Sequence, residues 1–427
     1  MKLSDKIALL GFALLLVALA MGFVWWKKIN KEGVQVEIKI DEIEDERGLG
    51  YSGQRKIVVD KNGDVFVAYR KKYEGKSEIF VAKVFSDKNE WKISGTENPI
   101  SAVDRDSDQR VPSIAVDNKN NIHVVWYGSD TISQTNNRQI KYSKSQDGGT
   151  SWTVWKNISF VDGYDKKDDY WQEHPYLLVG ANGELFAVWE GKDKENKHQQ
   201  IKFSKSIDDG ETWNSWKNIK ATPENTQSRP TLVQSKAGRL LLFAYSSIGS
   251  ENGNQQVVFS WSDNGGDDWS DWEIISDPSY DSRHVSATMD NKDNLHLVWR
   301  SQKSSEPSAI LYRSLRGGSW SEIKEVAFSN RYQFFPSIGG TENGKINITW
   351  MESEKKSNLP TENPEGGKIY RTVLNSNEFF KPIEISKGNN NLYPHIPETF
   401  KTSVVPAVYE SGEPSSKNFG LILQLVR

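Results

Sequence analysis

Tyr170, Trp171, Glu173 and His174 fall in one short stretch, Y-W-Q-E-H-P, which ends a long acidic connection over 162–172 and runs into an apolar segment. An indole with a carboxylate and an imidazole beside it can hold a sugar. The flat ring stacks on the apolar face of a pyranose while the polar groups bind its hydroxyls. The same indole could equally pack the connection against a neighbouring element. A second cluster, Asp104-Arg-Asp106-Ser-Asp108, has the alternation of a calcium loop, but Gln109 and Ala115 stand where such a loop needs Gly and Glu. No metal and no cofactor are expected.

Trp171 is singled out by subtraction. Of the 16 tryptophans, nearly all recur at fixed places in a repeat, and Trp171 has no counterpart. The repeat has two parts. One is an apolar run, a turn, and a second apolar run ending in an aromatic, at Tyr69, Trp126, Trp189, Tyr245, Trp299, Trp350 and Tyr409, spaced 51 to 63 residues apart. The other is a hairpin, S-x-D-x-G-x-x-W, at Ser145/Asp147/Gly149/Trp152 and Ser206/Asp208/Gly210/Trp213, with a relative at Asn264/Gly266/Trp269. In that turn the carboxylate accepts backbone N–H groups, the Gly takes positive φ, and the indole folds back over the hairpin. These residues serve the turn, not chemistry. A third strand follows each aromatic, and a fourth opens at Trp91, Trp152, Trp213, Trp269, Trp320 and Phe380.

Four antiparallel strands per unit at a period near 50 describe the blades of an all-β propeller. Seven units favour seven blades over the alternative of six. The last unit lacks a fourth strand, which the alternating segment 34–40 is expected to supply.

The hairpin resembles the Asp-box, or bacterial neuraminidase repeat, of the sialidase-like propeller family. That resemblance implies a box on the face opposite the ligand site, and a ligand site among the longer loops 129–138, 191–200, 246–255 and 352–368. A sialidase-like activity would require an arginine cluster for a carboxylate, an acidic acid/base residue and a tyrosine nucleophile. Arg110-Val-Pro112 is similar to the family's first arginine motif, and Arg283 holds the same offset. Arg229 and Arg55 fall one and two places later, which turns a strand side chain to another face. Arg110, Arg283 and Glu173 are therefore candidate catalytic residues, and Arg110, Arg229, Arg283, Tyr170, Trp171, Glu173 and His174 candidate ligand contacts. Asp-boxes also occur in non-catalytic propellers. The expectation is a binding protein for a glycan or a cell-surface protein, with a sialidase-like exo-glycosidase as the alternative.

Composition narrows the partners. The formal charge is −3, and five of the lysines lie in residues 1–31 with one aspartate, so the remainder is more acidic still. That disfavours nucleic acid, which needs a concentrated basic face. There is no cysteine, hence no disulfide or thiolate metal site. Residues 7–26 carry no charge and end in Trp25-Trp26 before Lys27-Lys28. This is long enough for a transmembrane helix with an interfacial anchor. A cleaved signal peptide is the competing reading, because Ala18-Leu19-Ala20 is an acceptable cleavage site. The chain is thus read as an anchor or signal over 1–31 and a propeller over 32–427, membrane-tethered and extracytoplasmic. The lysines after the apolar run argue for the opposite orientation.

Overall fold

The computed structural model describes residues 36–44, 47–50, 53–101, 108–130, 138–159, 170–250, 253–303, 306–355, 366–375, 377–401, 404–413 and 418–426. The apolar run 7–26, Asp104, Asp106 and much of the long connections near 131–137, 160–169 and 356–365 lie outside the described residues. Every regular element among the described residues is a strand, and the strands form seven sheets arranged as a seven-bladed propeller, antiparallel but for a short parallel pairing of Thr399–Phe400 with Tyr332–Thr341 in the sixth blade. The first blade runs Ile57–Val59, Val65–Tyr73, Lys76–Asp87, Glu90–Ser94, and the second runs Gln109–Val116, Ile122–Gly128, Gln139–Ser145, Lys156–Asn157. The next four blades repeat this order, with innermost strands Gln172–Val179, Gln227–Gln234, Asp281–Met289 and Tyr332–Thr341. In the seventh, Asn391–His395, Val405–Ser411 and Phe419–Val426 are completed by Val36–Ile43, which pairs antiparallel with Phe419–Val426. A strand from the front of the chain thus closes the ring and covers what would be a free edge.

The aromatic that ends a second strand is a wedge between blades. Trp126, Trp189, Trp299 and Trp350 are fully buried. Trp126 Nε1 donates to Gln109 Oε1 at 2.9 Å, and Trp189 Nε1 to Gln172 Oε1 at 2.8 Å. These glutamines belong to a second repeated signal, Gln three residues before Pro, at Gln109/Pro112, Gln172/Pro175, Gln227/Pro230 and Gln333/Pro336. Tyr245 departs from the expected pattern. Its strand pairs Thr231 with Phe243 and Ser228 with Tyr245, which puts Ala244 in the wedge position and moves Tyr245 one residue on, to the mouth of the channel.

The S-x-D-x-G-x-x-W turns are built from the residues expected but packed differently. Asp147 Oδ1 accepts from Ser145 Oγ at 2.8 Å, Thr150 N at 3.1 Å and Ser151 N at 2.9 Å, and Asp208 is bound in the same way by Ser206 and Thr212. Asn264 serves equally well in the third copy, its Oδ1 accepting from Ser262 Oγ at 2.9 Å and Asp268 N at 2.9 Å. The indoles of Trp213 and Trp269 pack on the preceding blade. Trp213 meets Tyr142 of the preceding blade edge-on at 5.3 Å, and Trp269 meets Phe203 at 5.5 Å; only Trp269 Nε1 reaches back, donating to the Gly266 carbonyl at 3.1 Å.

Gly266 corrects the expectation that the glycine serves its own turn alone. It has the expected positive φ, +85°, but it is buried against the neighbouring blade, and a Cβ there would meet Phe203 Cζ at 2.1 Å. Gly210 is buried against Tyr142 in the same way. Glycine is thus required twice over at these positions, for its backbone and for the ring that packs on it. With indole and glycine both spent on the neighbouring blade, the outer strand cannot open at the Trp. It forms later, as Lys156–Asn157, Lys217–Asn218 and Glu273–Ile274. The turns are clasps between blades, on the face where first strands turn into second strands.

Candidate functional site at the channel mouth

In blades two to seven the innermost strand enters through the same bulge, between Arg110 and Ser113, Glu173 and Tyr176, Ser228 and Thr231, Arg283 and Ser286, Phe334 and Ser337, and Leu392 and His395. The bulged residue has positive φ in each: Val111, His174, Arg229, His284, Phe335 and Tyr393. Proline follows it in all but the fifth blade, and without an N–H the ladder cannot continue through that position. Six non-glycine residues in the left-handed region cost of order 1–3 kcal/mol each. Their side chains meet around the channel. Arg229 Nη1 lies 3.4 Å from His284 Nε2, the His284 and Phe335 rings stack at 5.1 Å, and Phe335 meets Tyr393 at 4.9 Å.

A second ring surrounds these residues, contributed by the position after each wedge aromatic: Arg70, Tyr127, Glu190, Tyr245, Arg300, Met351 and Glu410. The two rings together make an asymmetric mouth. Around blades one to five it is polar and aromatic; at blades six and seven Met351, Phe334, Phe335 and Tyr393 add apolar and aromatic surface beside the Glu410 carboxylate.

Electrostatics concentrate at Tyr127. Burial raises its phenol above the ordinary value, while the charges of Arg110, Arg138, Arg229 and Arg70 pull it back down. Tyr127 lies opposite Arg110 in the strand register and meets the His174 ring edge-on at 5.4 Å. His174 is buried, and its Nδ1 lies 2.5 Å from Glu190 Oε1. The other carboxylate oxygen of Glu190 accepts from the Arg229 backbone N–H at 2.9 Å. Burial lowers the pKa of His174 against the opposing pull of Glu190, which favours the neutral ring. Glu190 is itself disfavoured as an anion by burial, yet His174 and Arg229 hold its pKa below the usual value. With Nδ1–H donated to Glu190, the lone pair of His174 sits on Nε2. A neutral imidazole base, a phenol and several guanidinium groups thus share one side of the mouth. A carboxylate or sulfate could be held there, and a proton moved.

The structure sorts the sequence candidates. Arg110 and Arg229 both bear on Tyr127. Glu173 is paired with Arg138. Arg283 pairs with Asp281 at 2.9 Å and lies over the Tyr245 ring, one blade further round. Arg55 goes elsewhere. It is buried deeper in the channel, where it donates to Tyr176 Oη at 2.7 Å and pairs with Glu398 at 3.1 Å. Trp171 and Tyr170 are half-buried at the approach to the third blade, and the Trp171 carbonyl is fixed by Lys192 N at 2.9 Å. Sequence reading missed Tyr127, Glu190, Arg70 and Arg138. The signal for the first three was available, since each directly follows a strand-closing aromatic.

No protein-family model matches the chain, and no curated protein does. Solved structures do, at low identity. An ulvan lyase of a polysaccharide lyase family is 12% identical with a TM-score of 0.59, over 92% of this chain and 96% of that one, and it has also been solved bound to -[GlcA(1-4)Rha3S]-. The NanB sialidase from Streptococcus pneumoniae is 10% identical with a TM-score of 0.51, over 93% and 95%. A protein of unknown function from Dyadobacter fermentans is 14% identical with a TM-score of 0.54, over 92% and 99%. At these identities the likeness is one of fold.

Proposed function

We propose that this chain binds an acidic polysaccharide, one bearing uronate, sialate or sulfate groups, at the mouth formed by Tyr127, His174, Arg229 and the surrounding arginines. The reading is carried by the guanidinium groups of Arg110, Arg138, Arg229 and Arg70, which all act on Tyr127 in a chain that is acidic as a whole, with Arg110 and Arg138 also bridged to Asp108 and Glu173. Half-buried Trp171 and Tyr170 at the edge of the same blade supply a surface on which further sugar rings can stack. The glycan-active propellers among the structural neighbours agree with this reading. A run of uncharged residues over 7–26 supports a membrane tether in front of the propeller. The usual layout of a short N-terminal tail before a large domain favours a propeller outside the cytoplasm, against the lysines that follow the run.

The test is binding of the full chain to a panel of uronate-rich, sulfated, sialylated and neutral glycans. Acidic glycans should bind, with affinity falling as salt rises. Arg110→Ala combined with Tyr127→Phe should weaken binding at least tenfold, and Trp171→Ala should weaken long glycans more than short ones. Equal binding of neutral and acidic glycans would defeat the proposal. Protease treatment of intact cells tests the tether, since an extracytoplasmic propeller is cut or shed and a cytoplasmic one is spared.

A second reading, glycan cleavage by β-elimination, is favoured by one observation: neutral His174, oriented by Glu190, stands beside Tyr127. Removal of the proton next to a uronate carboxylate needs a base, an acid for the leaving oxygen and cations on the carboxylate. An unsaturated uronate product appearing in the same incubations would establish it. Sialidase-type hydrolysis has less support, because Arg55 and Arg283 are engaged away from Tyr127.

A further inference from the structure

On the opposite face, where the second and third blades meet, Asp117, His123 and Asp209 converge. Asp117 closes the turn between the first two strands of the second blade, His123 lies in the second strand, and Asp209 sits in the S-x-D-x-G-x-x-W turn of the third blade. His123 is fully buried. Its Nδ1 lies 2.8 Å from Tyr142 Oη, and Tyr142 Oη lies 3.4 Å from the Asp209 carbonyl oxygen, so a chain of donors can run from Nδ1–H through the phenol to that carbonyl. Nε2 then carries its lone pair toward two carboxylates, at 3.5 Å from Asp117 Oδ2 and 3.9 Å from Asp209 Oδ1. Nε2 makes no hydrogen bond of ordinary geometry among the described residues, although against burial its long contact with Asp117 helps to hold that carboxyl below the usual value. A buried lone pair facing two anions is unfavourable unless a cation lies between them.

We propose that Asp117, His123 and Asp209 hold a divalent metal ion of the zinc type. One nitrogen and two carboxylate oxygens are donors suited to such an ion. All three donor atoms lie within 4.8 Å of one another. Tetrahedral zinc with bonds of about 2.0–2.1 Å has ligand atoms roughly 3.3 Å apart, so small rotations of the two carboxylates close the site. The surroundings match what metal ligands require. Tyr142 fixes the His123 ring, Asn121 and Lys119 donate backbone N–H groups to the Asp117 carboxylate, and Lys144 holds Asp209 Oδ2 at 3.2 Å, leaving Oδ1 for the metal.

The fifth blade is an internal control. His296 occupies the position of His123, with Nδ1 2.8 Å from Tyr312 Oη, but its Nε2 closes onto a single carboxylate, Asp290, at 3.2 Å. No second carboxylate faces it among the described residues. The same packing device is complete there without a metal.

The experiment is titration of the full chain with Zn2+, and with Co2+ followed by its visible absorption. Wild type should take up one equivalent at this site, with the intense absorption of low-coordinate Co2+. His123→Phe reproduces the residue of the first and third blades, Phe66 and Phe186, and Asp209→Asn keeps the shape of the turn while removing a carboxylate and its ion pair with Lys144. Each should weaken binding at least tenfold, and His296→Phe should leave it unchanged. Should His123→Phe fold poorly, Asp209→Asn decides alone. Wild type that takes up no metal, or metal uptake unaffected by Asp209→Asn, overturns the proposal and leaves a proton as the cation between these groups.

Discussion

His174 Nδ1 lies 2.5 Å from Glu190 Oε1, and the two residues come from adjacent strands of one blade, His174 at the bulge and Glu190 just beyond the buried Trp189. The strained backbone at His174 is what brings its ring into the mouth, and the carboxylate fixes which nitrogen carries the proton. Glu190→Gln keeps the shape but not the charge. Glu190 accepts from His174 and from the Arg229 N–H through separate oxygens, and in glutamine one of those two atoms becomes an NH2 donor that cannot accept. The pull of Glu190 partly offsets burial in setting the His174 pKa. Removing it should move the His174 titration to lower pH and shift the ring toward the Nε2–H tautomer. Imidazole nitrogen NMR of the variant reads both, and an unchanged tautomer would show that Glu190 does not orient the ring.

The glycine of the clasp turn separates two costs that usually travel together. Gly210 has φ of +80°, and a Cβ there would meet Tyr142 Oη at 2.1 Å; Gly183 has φ of +90° with nothing within 4 Å. Gly183→Ala should cost about 1 kcal/mol for the backbone alone. Gly210→Ala adds displacement of a buried ring that also contacts Trp213 and His123, for a total of about 3 kcal/mol or more. Denaturant midpoints of the two variants make the comparison, and equal losses would mean that the clasp yields easily.

Acid should weaken the fold through His395. Burial, reinforced by the charge of Lys56, lowers its pKa to about 3. In the unfolded chain the same group titrates near about 6.5. The stability gained from a neutral His395 is therefore fully present above about pH 6.5 and is lost as pH falls toward 3, by up to about 1.4 kcal/mol per pH unit. His174 contributes in the same direction. His395→Gln should show a shallower loss of stability between pH 7 and pH 4, measured by urea unfolding. A parallel slope would place the acid sensitivity elsewhere.

The hairpin clasps and the wedge tryptophans were legible in the sequence because both are local. A turn's carboxylate, hydroxyl and glycine sit within a few residues of one another, and the alternating runs repeat often enough to count. What the clasp glycines pack against was not, since Gly266 and Phe203 belong to different blades. The mouth was hidden for a related reason. Arg70, Tyr127, Glu190 and Arg300 occupy one position of the repeat that carries a cation, a phenol or a carboxylate in different blades, so averaging over blades hides them. Ala244 in a wedge position made Tyr245 look like a wedge and concealed its place at the mouth. Contacts across the channel leave no trace in spacing at all. Arg55 and Tyr176 are 121 residues apart, and only closure of the ring brings the guanidinium onto the phenol.

Lys56 is costly to bury. It is fully buried, its ammonium group donates to the Pro112 carbonyl, and no carboxylate pairs with it among the described residues. Burial pushes its pKa well below the ordinary value. Because the unfolded chain protonates it more readily, its contribution to stability is present only above about pH 10.4 and falls away as pH drops below that. At pH 7 the buried amine is therefore a net cost. Lys56→Met keeps most of the volume and removes the titrating group. It should stabilise the chain by about 1–3 kcal/mol at pH 7, with the gain narrowing toward pH 10. The charge of Lys56 is also among the forces that depress His395 and His174. Both should titrate higher in the variant, a readout that simple repacking would not move. If Lys56→Met destabilises the chain and leaves both histidines unshifted, the amine is held by stronger bonds than the Pro112 carbonyl provides, and its burial is a fixed feature of the ring's closure.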